Sequence, residues 1–153
     1  MRTCSQTGGH MQSKPIGTDT SADSSRLHAG AKRFEDVMGA SASAFIDHFK
    51  GVAPDFGKYI LEWEFGDLYG RPNLDLRTRE LVIIASCATL GSAGLGAVKM
   101  HIGAALRAGV SRAEIAEVLM QLGFSAGLPT TIAALDAARE AFAAIDAASA
   151  EQA

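Results

Sequence analysis

His101 is the side chain of this sequence best suited to acid–base chemistry, because an unperturbed imidazole changes charge at about pH 6.5. It is one of four histidines and the only one in the half of the chain with the clearest helical pattern. The rest of its helix face carries small side chains that leave volume beside the ring: Ala97, Ala104, Ala105 and Ala108. The alternative is a half-buried structural histidine that bonds to the backbone.

Glu80 shares a predicted helix face with Ile84 and Cys87, at helical spacing. If that face is inward, Glu80 is a buried carboxylate that needs a partner. Otherwise it is an exposed acid that pairs with Arg77 or Arg79. Cys87 is better explained as a small core residue than as a nucleophile.

Arg71 lies in a Gly-Arg-Pro turn, where its guanidinium could meet a carboxylate substrate at the mouth of a pocket. The alternative is an arginine that stacks on Tyr69 or is solvated. Arg77 and Arg79 flank the same region and offer further positive charge.

Several motifs that bind cofactors are missing from the sequence. It has no GxGxxG or GxxxxGK phosphate loop, no HExxH, no CxxC, and no His cluster with Asp or Glu at the spacing of metal ligands. We therefore expect chemistry without a nucleotide, a metal or a dithiol, and hence no cofactor.

Composition limits the expected partners and the cellular location of the protein. The net charge of -3 and the pI near 5.8 argue against nucleic acid as a partner. No apolar stretch approaches the ~20 residues that cross a bilayer, and no secretory signal precedes the domain, so no membrane association is expected. Cys4 and Cys87 are unsuited to a structural disulfide. These features predict a cytoplasmic protein.

Hydrophobic spacing predicts one all-α domain over residues 31–150, after a flexible tail over residues 1–30 that is rich in Ser, Thr and Gly. Residues 31–50 form two short helices or one helix interrupted at Gly39. Pro54 suits the first turn of the next helix, which ends at Gly66 and carries four apolar residues on one face: Phe56, Tyr59, Ile60 and Trp63.

The second half of the domain is expected to contain four more helices. The first runs from Leu76 and ends before Gly91, and the second covers residues 97–108 and ends at Gly109. The third follows Ser111, and the fourth begins at Pro129, after Gly127. Ser111 and Glu114 form a capping box that marks the start of the third of these. Leu135, Ala138, Phe142 and Ile145 face inward on the last. Alanine-rich packing faces bury little area, so we expect a homo-oligomer.

Five segments resemble the carboxymuconolactone decarboxylase family in their order and spacing: residues 66–74 (GDLYGRPNL), 77–82 (RTRELV), 101–106 (HIGAAL), 109–111 (GVS) and 114–119 (EIAEVL). The likeness runs from about residue 33 to residue 142. It implies an all-helical fold related to AhpD that assembles into trimers or hexamers.

The family contains cofactor-free decarboxylases of 4-carboxymuconolactone and AhpD-type alkylhydroperoxidases. The peroxidases use a CxxC pair ahead of a histidine, and the resemblance puts those two positions at Gly94 and Ala97. Neither residue forms a thiolate, so the resemblance implies that this chain is not a CxxC peroxidase.

The resemblance to the decarboxylases implies a role for each site residue. His101 is the acid–base group and Glu80 its orienting partner, while Arg71 and Arg79 anchor the substrate. Tyr69 stands at a substrate-binding position where the family pattern has tryptophan. Two further departures are Glu80 in place of a serine and residues 125–127 (SAG) in place of Tyr-Cys-Gly.

We therefore predict a cofactor-free decarboxylase that acts on a carboxylated lactone or a related small unsaturated acid. One alternative is an isomerase, dehydratase or cyclase that moves protons at the same site without releasing carbon dioxide. Another is a non-catalytic oligomer that binds small molecules, which a fully packed His101 would favour.

Overall fold

The computed structural model describes residues 20–151, with side chains from Ser25 onward. Within this range the α-helices are α1 (Thr20–Met38), α2 (Ala42–His48), α3 (Phe56–Ile60), α4 (Leu76–Thr89), α5 (Leu95–Arg107), α6 (Arg112–Ser125) and α7 (Leu128–Glu151). A π-helix, Leu61–Leu68, continues α3 directly, and a 3₁₀ turn, Gly91–Ala93, precedes α5. Residues 20–151 contain no strand, which confirms the all-α prediction.

Helices α4 to α7 enclose the larger of two hydrophobic cores. Its largest fully buried side chains include Ile84, Val98, Ile102, Ile115 and Leu119. Leu135, Phe142 and Ile145 of α7 pack against this core, and Ala138 lies within it. The four predicted helices and the inward face of the last are therefore confirmed, although α5 begins two residues earlier than expected.

The predicted capping signals act at the ends of these helices. The Ser111 hydroxyl accepts a bond from the Glu114 amide at 3.1 Å, and the Ser111 amide donates to the Glu114 carboxylate at 2.7 Å. Gly109 and Gly127 both adopt φ 85°, a left-handed conformation that glycine takes without steric strain. Short-range sequence signals thus set the ends of this half of the fold.

A second, aromatic core lies between α1, α2 and the π-helix. It contains Phe34, Leu61 and Phe65, and the Phe34 and Phe65 rings meet edge to face with centroids 5.0 Å apart. Gly39, at φ 62°, separates α1 from α2, so the two-helix interpretation of this region is confirmed.

The N-terminal boundary of the domain differs from the prediction. Helix α1 begins at Thr20, so the helical domain extends into the segment assigned to the tail, and the expected boundary at residue 31 falls inside α1. Gly30 is buried in that helix, because it packs against the π-helix. The predicted flexibility of residues 1–19 lies outside the described residues.

Helix α1 crosses the π-helix at backbone contact. A Cβ atom at Gly30 would lie 2.0 Å from the carbonyl oxygen of Leu61, and one at Gly66 would lie 4.0 Å from the Cα atom of Gly30. Arg33 of α1 donates to the carbonyl oxygens of Phe65 and Gly66, the second at 3.1 Å. Glycine at position 30 is therefore a packing requirement.

The prediction that the helix ends at Gly66 is wrong. The chain continues as a π-helix to Leu68, because the contacts with α1 hold Gly66 inside the element. The packed side of this segment is formed by Leu61 and Phe65, whereas Tyr59 and Trp63 from the predicted apolar face are each 61% exposed. The change of helical period can account for Trp63, which lies in the π-helix, whereas Tyr59 lies in the regular helix before it.

Pro54 also lies elsewhere than expected. It lies two residues before the start of α3, in a turn closed by a hydrogen bond of 3.0 Å from the Phe56 amide to the Ala53 carbonyl oxygen. The residue that caps α3 is Asp55, which makes no side-chain capping bond. The proline therefore belongs to the turn that leads into the helix.

Arg107 ties the end of α1 to α5. Its Nε donates to the carbonyl oxygen of Val37 at 3.0 Å, and its Nη2 donates to that of Met38 at 2.6 Å. These are carbonyl groups at the C-terminal end of α1, which lack partners within the helix. Helix α1 is thus bonded to the π-helix through Arg33 and to α5 through Arg107.

None of the described helices is long and apolar enough to cross a membrane. Some large apolar side chains are solvent-exposed, among them Phe124, Leu128 and Ile132. A homo-oligomer would cover side chains of this kind, and self-association stays a prediction.

Candidate active site

Glu80 is the centre of a buried polar network between the two cores. Its side chain has no solvent exposure, and each carboxylate oxygen has a partner. Oε2 lies 2.8 Å from Nδ1 of His101, and Oε1 accepts a bond from the Tyr69 hydroxyl at 2.7 Å. The structure therefore selects the inward orientation of Glu80 over pairing with Arg77 or Arg79.

Helices α4 and α5 bring Glu80 and His101 together. Asp75 caps α4 by accepting a bond from the Thr78 amide at 2.7 Å, and the helix begins at Leu76, four residues before Glu80. Arg77, on the outer side of α4, pairs with Glu114 at 2.7 Å. With Nδ1 of His101 held by a carboxylate, its Nε2 is the nitrogen left for proton transfer.

Tyr69 contributes its ring to the site, while its hydroxyl is engaged with Glu80. One face of the ring stacks on Phe65, with centroids 4.8 Å apart, and the Arg79 guanidinium lies 5.4 Å from its centroid. Burial, followed by the bond to Glu80, raises the pKa of Tyr69 well above its usual value. Tyr69 therefore stays protonated and acts as a fixed donor to Glu80.

Arg79, not Arg71, is the arginine that reaches this site. Its Nη2 donates to the carbonyl oxygens of Arg71, at 3.2 Å, and Leu74, at 3.4 Å. The Arg71 side chain is exposed in the turn. The stacking on Tyr69 that was considered for Arg71 is thus made by Arg79, and Arg71 contributes its backbone to holding it.

A cleft of about 230 Å³ opens beside the network. Its lining residues are Trp63, Glu64, Leu68, Tyr69, Leu74, Arg79, Val82 and Ile83. Glu80 and His101 are not among them: His101 lies behind this wall with 8% of its side chain exposed. Two of the predicted site residues, Tyr69 and Arg79, therefore face the cleft directly.

A larger surface groove of about 500 Å³ lies between α5 and α7. Its charged lining residues are Lys99 and Glu140, which pair with each other, and its lining includes no member of the Glu80 network. We therefore take the smaller cleft as the candidate active site, because an arginine and a buried acid–base network adjoin it.

Glu64 was missed by the sequence analysis. The π-helix brings it onto the same side as Tyr69, whose amide donates to the Glu64 carbonyl at 2.8 Å in the i to i+5 pattern. On an ordinary α-helix, residues five apart point about 140° away from each other. No local signal in the sequence predicts a π-helix here, so none could have placed Glu64 in the cleft.

The Glu64 carboxyl is electrostatically linked to the network. Burial raises its pKa, the charge of His101 lowers it, and the charge of Glu80 raises it. Burial and the charge of Glu64 likewise raise the pKa of the Cys87 thiol, which disfavours a reactive thiolate. Over the described residues, no group of three or more His, Cys, Asp or Glu side chains could hold a metal ion.

Comparison with known proteins identifies the family. The sequence pattern of the carboxymuconolactone decarboxylase family matches residues 54–140, more than half of the chain. The chain belongs to this family. The match spans the π-helix, α4 and α5, and so includes every residue that lines the cleft or forms the Glu80 network.

Two relatives can be aligned with this chain over most of its length. A 4-carboxymuconolactone decarboxylase from Acinetobacter baylyi is 30% identical over 121 residues, covering 78% of this chain and 89% of that protein. An uncharacterized 15.0 kDa protein from Paracoccus denitrificans is 30% identical over 111 residues, covering 69% and 83%. The similarity therefore extends over almost the full length of both relatives.

Proposed function

We propose that this protein is a cofactor-free decarboxylase of a small, unsaturated, carboxylated lactone of the 4-carboxymuconolactone type. The observation that carries the proposal is the bond between Glu80 and His101, 2.8 Å long and buried beside a cleft lined by an arginine. Family membership and the similarity to a 4-carboxymuconolactone decarboxylase support it.

The proposed reaction needs little from the protein beyond charge placement and a proton. When the carboxylate leaves as carbon dioxide, the electron pair of the broken C–C bond moves through the unsaturated ring to the lactone carbonyl, which serves as the electron sink. The resulting enolate is then protonated on carbon. General acid–base groups contribute about 10²–10⁴-fold to such transfers. His101 is the proposed acid–base group behind this step, and Glu80 fixes its orientation.

Arg79 is the proposed anchor for a substrate carboxylate. Its guanidinium lines the cleft over the Tyr69 ring and is held in place by two backbone carbonyls. A planar guanidinium can bind a carboxylate through two parallel bonds. Arg71, exposed in the adjacent turn, is the proposed second anchor at the mouth of the cleft.

The proposal excludes the thiol peroxidase chemistry found elsewhere in the family. Gly94 and Ala97 stand where the resemblance expects the two cysteines. A Cβ atom at Gly94 would lie 1.9 Å from the carbonyl oxygen of Cys87, so a cysteine there would need the backbone to move. Cys87 itself has a raised pKa, the opposite of what a peroxidatic thiol needs.

A non-catalytic binding protein is the second candidate, and the burial of His101 favours it. Only 8% of the histidine side chain is exposed, and the ring does not line the cleft. In that case the cleft would bind a small acid at Arg79 without converting it. Binding without turnover would distinguish this function from the first.

The deciding experiment is incubation of the purified protein with 4-carboxymuconolactone while carbon dioxide release and substrate loss are both followed. We expect turnover, and we expect His101→Ala to lower kcat about 10²–10⁴-fold. His28→Ala, which changes an exposed histidine of α1, is the matched control and should keep full activity.

Three results would contradict parts of the proposal. Folded wild-type protein that leaves the lactone intact would overturn the decarboxylase assignment. Substrate loss without carbon dioxide would indicate an isomerase, dehydratase or cyclase. Undiminished turnover by His101→Ala would remove the histidine from the mechanism.

A further inference from the structure

We propose that Glu64 is the group that delivers the proton to the substrate carbon, and that His101 acts through it from behind the cleft wall. This inference rests on the proposed function and deepens it by naming the acid that meets the substrate. Neither the sequence motifs nor the family resemblance pointed to Glu64.

Access to the cleft distinguishes Glu64 from His101. A general acid must come within hydrogen-bond reach of the atom that it protonates. Glu64 lines the cleft together with Tyr69 and Arg79, whereas His101 is buried and does not. The Tyr69 hydroxyl is bonded to Glu80, so it does not offer its proton to the cleft. Glu64 is thus the proton-carrying side chain placed to touch a ligand there.

The carboxyl groups of Glu80 and Glu64 differ in their hydrogen bonding. Both oxygens of Glu80 are bonded, to His101 and Tyr69, as befits a fixed structural acceptor. Within the part of the chain that the structure describes, the Glu64 carboxyl has no hydrogen-bond or ion-pair partner, although it is half-buried. A carboxyl group that is partly desolvated and unpaired favours its neutral, proton-carrying form.

The charged and titratable groups around Glu64 fit this role. Tyr69 caps the π-helix that carries Glu64. Glu80, Arg79 and Cys87 lie on α4, and His101 lies on α5. Burial and the charge of Glu80 raise the pKa of Glu64, while the charge of His101 lowers it. A protonated His101 therefore makes Glu64 a stronger acid, and a neutral His101 lets it keep its proton.

The step balances without a further reactant. The substrate carboxylate leaves as carbon dioxide, and its C–C bond electrons form the enolate. The O–H bond of Glu64 then breaks as the new C–H bond forms, which leaves Glu64 as a carboxylate. Solvent then returns one proton to Glu64, so each turnover consumes one proton.

The activity test compares Glu64→Gln with Glu62→Gln, its matched control on the same π-helix. Glutamine keeps the shape of the side chain and cannot donate the proton as an acid. We expect Glu64→Gln to lower kcat about 10²-fold or more with little change in KM, and Glu62→Gln to leave both unchanged. The wild-type rate should fall as pH rises through the pKa of Glu64, and this fall should be missing from the residual rate of Glu64→Gln.

A stability test needs no substrate. Because the pKa of Glu64 is raised in the folded state, wild-type stability declines as pH rises through that pKa, while the unfolded chain has already lost the proton. Glu64→Gln removes this effect. Its denaturation midpoint, followed by circular dichroism, should match wild type at about pH 4 and exceed it by a constant margin once the pH lies above the raised pKa of Glu64. Glu62→Gln should show no such pH-dependent gain.

The two tests separate this inference from the proposed function. Wild-type turnover with undiminished kcat in Glu64→Gln overturns the role of Glu64 and leaves the decarboxylase assignment intact. A Glu64→Gln variant with no pH-dependent gain in stability also overturns it, because Glu64 would then be an ordinary carboxylate. Absence of wild-type turnover overturns the proposed function together with the protonation step, whatever the stability curves show.

Discussion

The two cores of this molecule are specified by different kinds of contact. Around α4 to α7, regular helices end at signals that act within a few residues, such as the Ser111 capping box and Gly127 at φ 85°. The π-helix has no such signals, and its support comes from α1, more than thirty residues earlier in the chain, through Gly30 and Arg33. The regular half is thus locally encoded, whereas the helix that carries Glu64 and Tyr69 depends on tertiary contacts.

That difference bears on function, because the candidate site lies at the junction between the two regions. Glu80 and His101 come from the regular half, and Glu64 and Tyr69 come from the π-helix. A π-helix is rare and often marks a functional position. Changes in α1 should therefore disturb the site more than comparable changes in the helices of the larger core.

The largest effect on stability is expected when one glycine in each region is replaced by alanine. Gly30→Ala places a Cβ atom 2.0 Å from the Leu61 carbonyl oxygen, so the π-helix must move, at a cost of about 3 kcal/mol. Gly123→Ala in α6 meets its nearest neighbours at 3.6 Å and should stabilise by up to about 1 kcal/mol through helix propensity. Chemical denaturation of both variants measures the contrast, and equal changes in the free energy of unfolding would contradict it.

A smaller loss is expected when Arg33 becomes methionine. The carbonyl oxygens of Phe65 and Gly66 then lose their donor, which should lower the free energy of unfolding by about 2 kcal/mol. Fluorescence of Trp63, the one tryptophan of the chain, should also shift, because it lies in the π-helix and lines the cleft.

Lys32→Met is the control for that experiment. Lys32 pairs with Asp36 on the exposed side of α1, and such surface pairs contribute about 0–1 kcal/mol. If Lys32→Met altered stability and fluorescence as much as Arg33→Met, the specific support of the π-helix by Arg33 would be disproved.

The smallest stability effect is expected at the junction itself. Tyr69→Phe removes one donor from the buried Glu80 and should cost about 1 kcal/mol. Tyr59→Phe, at an exposed tyrosine of α3, should cost nothing measurable. Thermal unfolding of the two variants tests whether the bond from Tyr69 to Glu80 stabilises the fold, and equal melting temperatures would count against it.

The sequence predicted much of the regular half and part of the site. Helix ends near Gly109, Ser111 and Gly127 follow from backbone and capping preferences, which act locally. The inward position of Glu80 was one of two alternatives that the sequence left open, and the structure selects it. These inferences needed only the helical period.

The irregular half was harder to predict for a physical reason. Period analysis assumes about 3.6 residues per turn, and the π-helix departs from that value. Trp63 was therefore wrongly assigned to the apolar face, the helix was expected to end too early, at Gly66, and Glu64 was missed. The roles of Arg71 and Arg79 depended on a turn whose backbone carbonyls hold one guanidinium and leave the other exposed. Such contacts between distant residues produce no periodic pattern in the sequence.

Helix α1 acts as a spacer between the two elements that carry Glu64 and His101. Arg33 bonds it to the π-helix and Arg107 bonds it to α5, yet α1 precedes the segment that matches the family pattern, residues 54–140. The proposed reacting groups thus lie within the segment that matches the family pattern, and the helix that is bonded to both of their elements precedes that segment. Exchange of α1 between relatives is accordingly a route by which evolution or an engineer can retune this site without altering any residue that lines it.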